Sequence, residues 1–442
     1  MSPSLRVYLL LIVGSLVGAG IATVGSDLVS PGLLRTATRL TLAYDAVILL
    51  LTLIDWRRLA PHRLTVERQV SHRLSIGREN PVELVVKAGK VSAIAQIRDD
   101  YPPAFKASQD QHILSLSANQ TQTLKYTVFP DQRGEYAWGD IYVRQLGQWG
   151  LAWHTWKIPA KQPIVVYPDL IGLRELSIRL TLQNSGNMKR SRLLGMGTEF
   201  AELREYATGD DPRLIDWKAT ARRDRLLVRV LEPEQEQTLI ILLDRGRLMT
   251  AQVKGLSRYD WGLNAALSLA LAGLNRGDRV GIGVFDRQMH AWIPPERGQN
   301  HLTKLLERLT PIQPELLEPD YMGAVTTAAL QQTRRALVVL ITEIIDATAS
   351  VELLSAMGRL APRHLPFCVT LRDPQVDQQA HASTTDLDQS YARAVALDLL
   401  AQRQLALAKL KQKGVLVLDA PAPFISQQLV DQYLQLKVRN RL

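Results

Sequence analysis

Cysteine is all but missing from this 442-residue chain: Cys368, inside the apolar run Leu365–Leu371, is the single one, so neither a disulfide framework nor a four-cysteine metal site can form within one chain. That usage fits a cytoplasmic soluble bulk. Catalytic signatures are missing as well. The chain has no Gly-x-x-x-x-Gly-Lys-Ser/Thr loop to cradle phosphates, no His-Glu-x-x-His helix and no Gly-x-Ser-x-Gly elbow. The fragment Gly281-Ile282-Gly283 lacks the third glycine of a dinucleotide fingerprint and lies in a strand-like run. The eight histidines are scattered, and His62, His72, His154 and His290 have no ligand spacing. The expectation is a protein without a cofactor and without catalytic activity.

What the chain has in quantity is apolar material, 46% of its residues, and a formal charge of +10. The length exceeds one ordinary domain. A basic excess suits nucleic acid or an anionic membrane surface. Arg57, Arg58, Arg63, Arg68 and Arg73 follow an apolar run closely, where a positive-inside flank should sit, which favours membrane lipid over nucleic acid.

Two apolar stretches open the sequence. Leu5 to Val24 is long enough to cross a hydrocarbon core, and its rival reading is a cleaved signal peptide. Leu40 to Ile54 is shorter and must borrow Leu33-Leu34, with Arg35 and Arg39 extending toward headgroups. Asp45 falls inside it, either as a functional intramembrane carboxylate or as one that reaches water from a helix end. Residues 1–58 are therefore expected to be a two-helix membrane anchor. Both termini should be cytoplasmic, and the loop near residues 25–35, with Asp27 and Pro31, should lie outside.

From 59 to 168 the pattern changes to short alternating runs such as Val82-Glu83-Leu84-Val85-Val86 and Leu124-Lys125-Tyr126-Thr127-Val128, which predicts an antiparallel β-sandwich of about seven strands. Trp138, Trp149, Trp153 and Trp156 would fill its core and edges or form a binding face.

Residues 169–236 read as a charged connector. Asp211 with Pro212 behind it makes an N-cap and first turn, predicting a helix from Pro212 to about Arg222 that carries Asp216, Trp217 and Arg222, after a Gly209-Asp210 turn. The surrounding acids and arginines, Glu199, Glu202, Arg204, Asp216, Arg222 and Arg229, have two readings. They lock the connector onto the next domain through bidentate pairs, or they dock a protein partner, with Glu199, Arg204, Tyr206, Asp210, Asp216, Trp217 and Arg222 as the contact residues. A hydrolase using Asp210, Asp211 or Asp216 is a third possibility, and nothing in the sequence marks its substrate.

From 237 onward, continuous apolar runs at Thr238–Asp244, Arg279–Phe285, Ala336–Thr342, Phe367–Leu371 and Val415–Leu418 alternate with helical stretches, including Asp386–Lys413 before Gly414. This predicts a doubly wound α/β domain over 237–442, with Asp244 and Thr342-Glu343 together at the carboxyl edge of its sheet.

The motifs Gly197-Thr198-Glu199-Phe200, Leu203-Arg204-Glu205-Tyr206, Gly209-Asp210 and Ile215-Asp216-Trp217 resemble the signature of the domain-of-unknown-function 58 family, and Val166-Tyr167-Pro168 extends the likeness loosely. The resemblance implies a membrane-anchored protein with a von Willebrand factor A-like domain, often paired with a MoxR-type AAA+ ATPase. It also implies a magnesium site at the sheet edge, built on an Asp-x-Ser-x-Ser loop, a Thr and an Asp. Here the loop is Asp244-Arg245-Gly246-Arg247-Leu248, with Gly246 and Leu248 in the hydroxyl positions and Glu343 where the later Asp is usual. Arg245 and Arg247 should repel a cation or replace it with an internal ion pair. The expectation is a degenerate site at Asp244 and Glu343 that holds no metal, in a scaffold or adaptor. The alternative is a sensor domain that keeps both residues as magnesium ligands.

Overall fold

The structure, a computed structural model, describes residues 2–24, 31–191, 199–232, 237–346, 350–383 and 386–439. It divides into two units, Met1–Val166 and Tyr167–Leu442. Gly197, Thr198 and Asp27 lie outside the described residues, as does the side chain of Glu199.

In the first unit, alternation drives sheet formation: along Asn80–Lys87 the side chains of Val82, Leu84 and Val86 are buried while their neighbours are less so. Three antiparallel sheets result, and they hold more strands than the seven expected. One has five strands in the order Ser2–Pro3, Ala152–Ile158, Ile141–Leu146, Ala93–Asp99, His112–Leu116. The second has four, Thr65–Gln69, Asn80–Lys87, Thr121–Pro130, Phe105–Ala107, and the third three, Arg73–Ser75, Gln162–Tyr167, Gly134–Trp138. All four tryptophans between 138 and 156 lie under an arginine, Trp138 under Arg68, Trp149 under Arg58, Trp153 under Arg144 and Trp156 under Arg63, and Trp138 is the one that is fully buried.

The membrane reading is corrected. Among the described residues no helix is long and apolar enough to cross a membrane, and the expected multi-pass location with cytoplasmic domains goes with it. For the second of the two helices the charges explain why. The helix Pro31–Leu59 carries Arg35, Arg39, Asp45, Asp55, Arg57 and Arg58 along one length. Asp55 is buried and accepts hydrogen bonds from the amides of Trp149, Leu151 and Ala152, so the end of this helix is fixed to the sheet unit. The helix Leu5–Val24 packs against it, with Gly14 meeting Tyr44 and Asp45, and Gly18 meeting Thr41. Asp45 therefore sits in a helix–helix contact. The outer faces of the pair, including Leu9, Val13, Leu16, Leu42, Leu49 and Leu53, are apolar and exposed.

Two of the arginines taken for a membrane flank are structural. Arg68 and Asp99 form a fully buried ion pair at 3.3 Å, and Arg68 also donates to the carbonyls of Gly139 and Ala160. Arg63 donates to His154 at 2.9 Å.

The second unit is built on a six-stranded sheet ordered Met289–Glu296, Arg279–Phe285, Thr238–Asp244, Leu337–Thr342, Leu365–Arg372, Leu416–Pro421. All neighbours are parallel except Met289–Glu296, an antiparallel edge strand. Its four inner strands are apolar and buried along most of their length because both faces are covered. Leu239, Ile241 and Leu243 pack with the helices Arg258–Asn275 and Ile425–Val438, and Leu173, Leu176 and Leu180 of the helix Leu170–Ser191 join that cluster. Ile240 and Leu242 pack on the other face with the helices Tyr321–Gln331, Val351–Leu360 and Leu387–Gln412. Gly414, at φ 78°, ends the last of these in the left-handed region where a glycine is unstrained.

Candidate functional site

The connector folds otherwise than expected. Glu199–Glu205 and Leu227–Glu232 pair as an antiparallel hairpin with an irregularity between Phe200 and Glu202. Between them there is not one helix but two short turns. Asp211 caps the 3-10 turn Pro212–Leu214 by accepting from the Arg213 amide. Asp216, extended at φ −87° and ψ 92°, starts a new helix Trp217–Arg223 by accepting from the amides of Lys218 and Ala219. Asp216 is thus a cap and not a residue on a helix face, because its side chain replaces the helical amide acceptors at that point.

The predicted contact residues divide by role. Arg204 grips Asp210 bidentately at 2.8 and 2.6 Å, and Arg229 donates to Asp216 at 2.8 Å. These partners hold Asp210 and Asp216 below the usual carboxylate range, assisted by the amides of Ala207 and Ala219. Tyr206 donates its hydroxyl to the Asp210 carbonyl. All of these bonds stay within the hairpin segment, so they shape it locally. Trp217 is 67% exposed, and Lys218, Arg222 and Arg223 of the same helix are exposed as well, as is Arg225, which pairs with Glu205. Asp210, Asp211 and Asp216 are each committed to a cap or an ion pair.

At the sheet edge, Leu243 is in register with Ile341, so Asp244 and Thr342 finish their strands side by side. Asp244 is 1% exposed. Its Oδ2 accepts from Thr342 Oγ1 at 2.6 Å and from Tyr321 Oη at 3.2 Å, and its Oδ1 accepts from the Gly246 amide at 2.7 Å. Burial pushes this carboxyl up to about 6, against the three hydrogen bonds that favour its charged form. Burial and the adjacent Asp244 also raise Tyr321, which therefore stays a donor.

These residues do not fit magnesium, which asks for about six hard oxygens in tight octahedral geometry. The first loop explains the missing hydroxyl. The Glu315 amide donates to the Arg245 carbonyl and the Arg247 amide to the Leu317 carbonyl, each at 2.8 Å, which lays the 315–317 segment over the site. A Cβ on Gly246 would come within 2.8 Å of the Leu317 carbonyl oxygen, so a serine there would displace that segment. The arginines also differ from expectation. Arg245 turns away from Asp244 to Asp286 and Glu315, both at 2.7 Å, and Arg247 pairs with exposed Glu318. Although burial works against the charge, Arg245 holds Asp286 below the carboxylate range.

Glu343 belongs to a separate cluster. It follows Thr342 in the chain but pairs with Arg403, which also bonds Asp419 at 2.9 Å and the Ile344 carbonyl. Thr370 donates to Asp419 as well. The expectation that Asp244 and Glu343 act together is corrected: hydroxyls hold the first and arginines the second. Cys368 is buried in the core, and burial pushes its thiol up to about 12, which leaves it unreactive.

Sequence reasoning missed Tyr321, Arg403, Asp419 and Asp286. Two of them left a signal. Asp320 caps the helix that begins at Tyr321 by accepting from the Gly323 amide, and the Pro319-Asp320 pair announces that start. Arg403 falls on the same stripe as Ala396, Leu407 and Leu410, the buried face of its helix.

Residues 202–397 match the family model described as "Protein of unknown function DUF58". The match starts within the hairpin and takes in most of the six-stranded sheet. The chain is 23% identical over 233 residues to the uncharacterized protein Rv1480 of Mycobacterium tuberculosis, covering 49% of this chain and 73% of that protein. It is 22% identical over 197 residues to the uncharacterized protein YeaD of Bacillus subtilis, covering 43% and 46%. Among solved structures it is similar to the conserved hypothetical protein BatB from Bacteroides thetaiotaomicron, at 14% identity and a TM-score of 0.32, covering 46% of this chain and 99% of that one.

Proposed function

We propose that this chain is a non-catalytic scaffold whose α/β domain, von Willebrand factor A-like by the resemblance, presents the DUF58-type hairpin to a protein partner. By the same resemblance that partner is a MoxR-type AAA+ ATPase. One observation carries the reading: Trp217 is 67% exposed on a short helix whose start is held by Asp216, which caps it and pairs with Arg229. Tryptophan and arginine dominate interface energetics when a partner desolvates them, and a backbone already held in place costs less ordering on binding. The exposed cations of the same helix, Lys218, Arg222 and Arg223, call for an acidic partner face. Two facts support a role without catalysis: the three aspartates of the hairpin are capping or ion-paired, and Asp244 is enclosed by hydroxyls. The test is surface-immobilised binding of the full chain to a purified MoxR-type ATPase. Trp217→Ala should weaken the affinity at least about tenfold, with association slowed by added salt. Equal affinity in the wild type and Trp217→Ala would overturn docking through this helix.

A further inference from the structure

Next to the Glu343 cluster, at the carboxyl ends of the strands Leu337–Thr342 and Leu365–Arg372, lies a cleft of ≈ 220 Å³. Ile344, Ile345, Val376, Leu399 and Leu400 make its apolar wall, and Arg258, Glu343, Arg372, Asp373 and Arg403 its polar wall. Most of the polar groups are spent. Arg403 is taken by Glu343 Oε1 and Asp419, Arg372 pairs with Asp377 at 3.0 Å, and Arg258 Nη1 donates to the Leu248 carbonyl. Two atoms remain. Glu343 Oε2, on a side chain only 5% exposed, and Arg258 Nε have no hydrogen-bond partner among the described residues, and they stand 4.0 Å apart.

A buried carboxylate oxygen left unmatched costs free energy that a bound donor recovers, and the same holds for the guanidinium nitrogen and a bound acceptor. The charges fix the class of ligand. Three arginines, Arg258, Arg372 and Arg403, stand against four carboxylates, Glu343, Asp373, Asp377 and Asp419, so a phosphate finds no positive excess, and a single unmatched carboxylate oxygen beside arginines gives a metal ion too few ligands. We propose that the cleft binds a free aliphatic amino acid, its ammonium donating to Glu343 Oε2, its carboxylate accepting from Arg258 Nε, and its side chain against the Leu399–Leu400 wall. The volume suits a molecule of that size and little more. This site is separate from the hairpin, and the proposal stands or falls independently of partner docking.

The experiment uses the full chain, with L-leucine as probe in calorimetric titration and thermal unfolding. Isocaproate, which lacks the ammonium, isoamylamine, which lacks the carboxylate, and inorganic phosphate are the controls. Leucine at about 10 mM should raise the unfolding temperature by a few degrees and titrate with a single site, and each control should bind at least about tenfold more weakly. Leu400→Trp, which fills the cleft, should abolish the leucine response, and Arg258→Ala should weaken it. The absence of any leucine response in the wild type would overturn the proposal, and this arm needs no variant to fold. So would isocaproate or phosphate acting as well as leucine, or an undiminished response in Leu400→Trp.

Discussion

The second unit holds two groups of arginines and carboxylates, one in the hairpin and one at the sheet edge, with similar pair distances and opposite settings. In the hairpin, Arg204, Arg225 and Arg229 are about half exposed or more, and their partners Asp210, Glu205 and Asp216 belong to the same short segment. At the sheet edge, Arg403 is 6% exposed and ties Glu343 to Asp419 across three elements. Exposed pairs gain little in water and are screened by salt. A buried pair gains its attraction against a large desolvation cost, so removing one member strands the other. The hairpin ions therefore set a local shape, and the edge ions set whether the sheet and its longest helix stay together.

The sharpest way to break this contrast is Arg403→Leu. It leaves Glu343 and Asp419 without their cation, and the expected loss is about 3–5 kcal/mol of unfolding free energy, read from urea titration. A loss no larger than that of Arg225→Ala would remove the distinction. Next in size is Asp244→Asn. The folded carboxyl titrates near 6, above an unfolded value of about 3.9, so the native state binds the proton more readily. The burial cost is absent below about pH 4, grows between 4 and 6, and is fully present above 6, where it reaches about 3 kcal/mol. The amide should accordingly stabilise the chain at pH 8 and do nothing at pH 4. The opposite order would mean that Asp244 is held ionised.

How much of this was legible depends on which physics each element obeys. The parallel strands are continuous apolar runs with both faces covered, and Thr238–Asp244 and Arg279–Phe285 were readable to the residue. The strand Met289–Glu296 was not, since Pro294 and Pro295 argue against a strand unless it is at an edge, and only the sheet order reveals the edge. In the hairpin the caps were legible one at a time. Asp211 was read and Asp216 was overrun, although both are aspartates ahead of a short turn. In the first unit hydropathy misled. A run of apolar residues does not show that Gly14 and Gly18 meet Tyr44, Asp45 and Thr41 of a second helix, and Arg68 looks like a membrane flank until Asp99, distant in sequence, is placed beside it. Long-range pairing of charges leaves no periodic trace, which is why Asp286 and Asp419 were invisible as well.

Smaller effects separate the two groups further. Asp216→Ala removes a cap and an ion pair together, but both are local. Its pKa is lowered by Arg229 and the helix amides, so its contribution is present above about pH 4 and fades as the pH falls through the lowered value. Hydrogen exchange should quicken over residues 217–223 at neutral pH and leave the strand Leu337–Thr342 unchanged. Protection lost in both places would mean that the hairpin ions support the sheet.

The smallest effect expected is from magnesium. Asp244 Oδ2 already accepts two hydroxyl hydrogen bonds and Oδ1 an amide, and the 315–317 segment lies where a hydroxyl ligand at position 246 would have to stand. An ion entering there must displace Tyr321 and recruit water alone for its other positions, which a buried site with Arg245 beside it disfavours. Titration of the full chain with magnesium to about 10 mM should give no site-specific heat and no rise in unfolding temperature. A rise that vanished in Asp244→Asn would instead show that the hydroxyl cage opens to admit a cation.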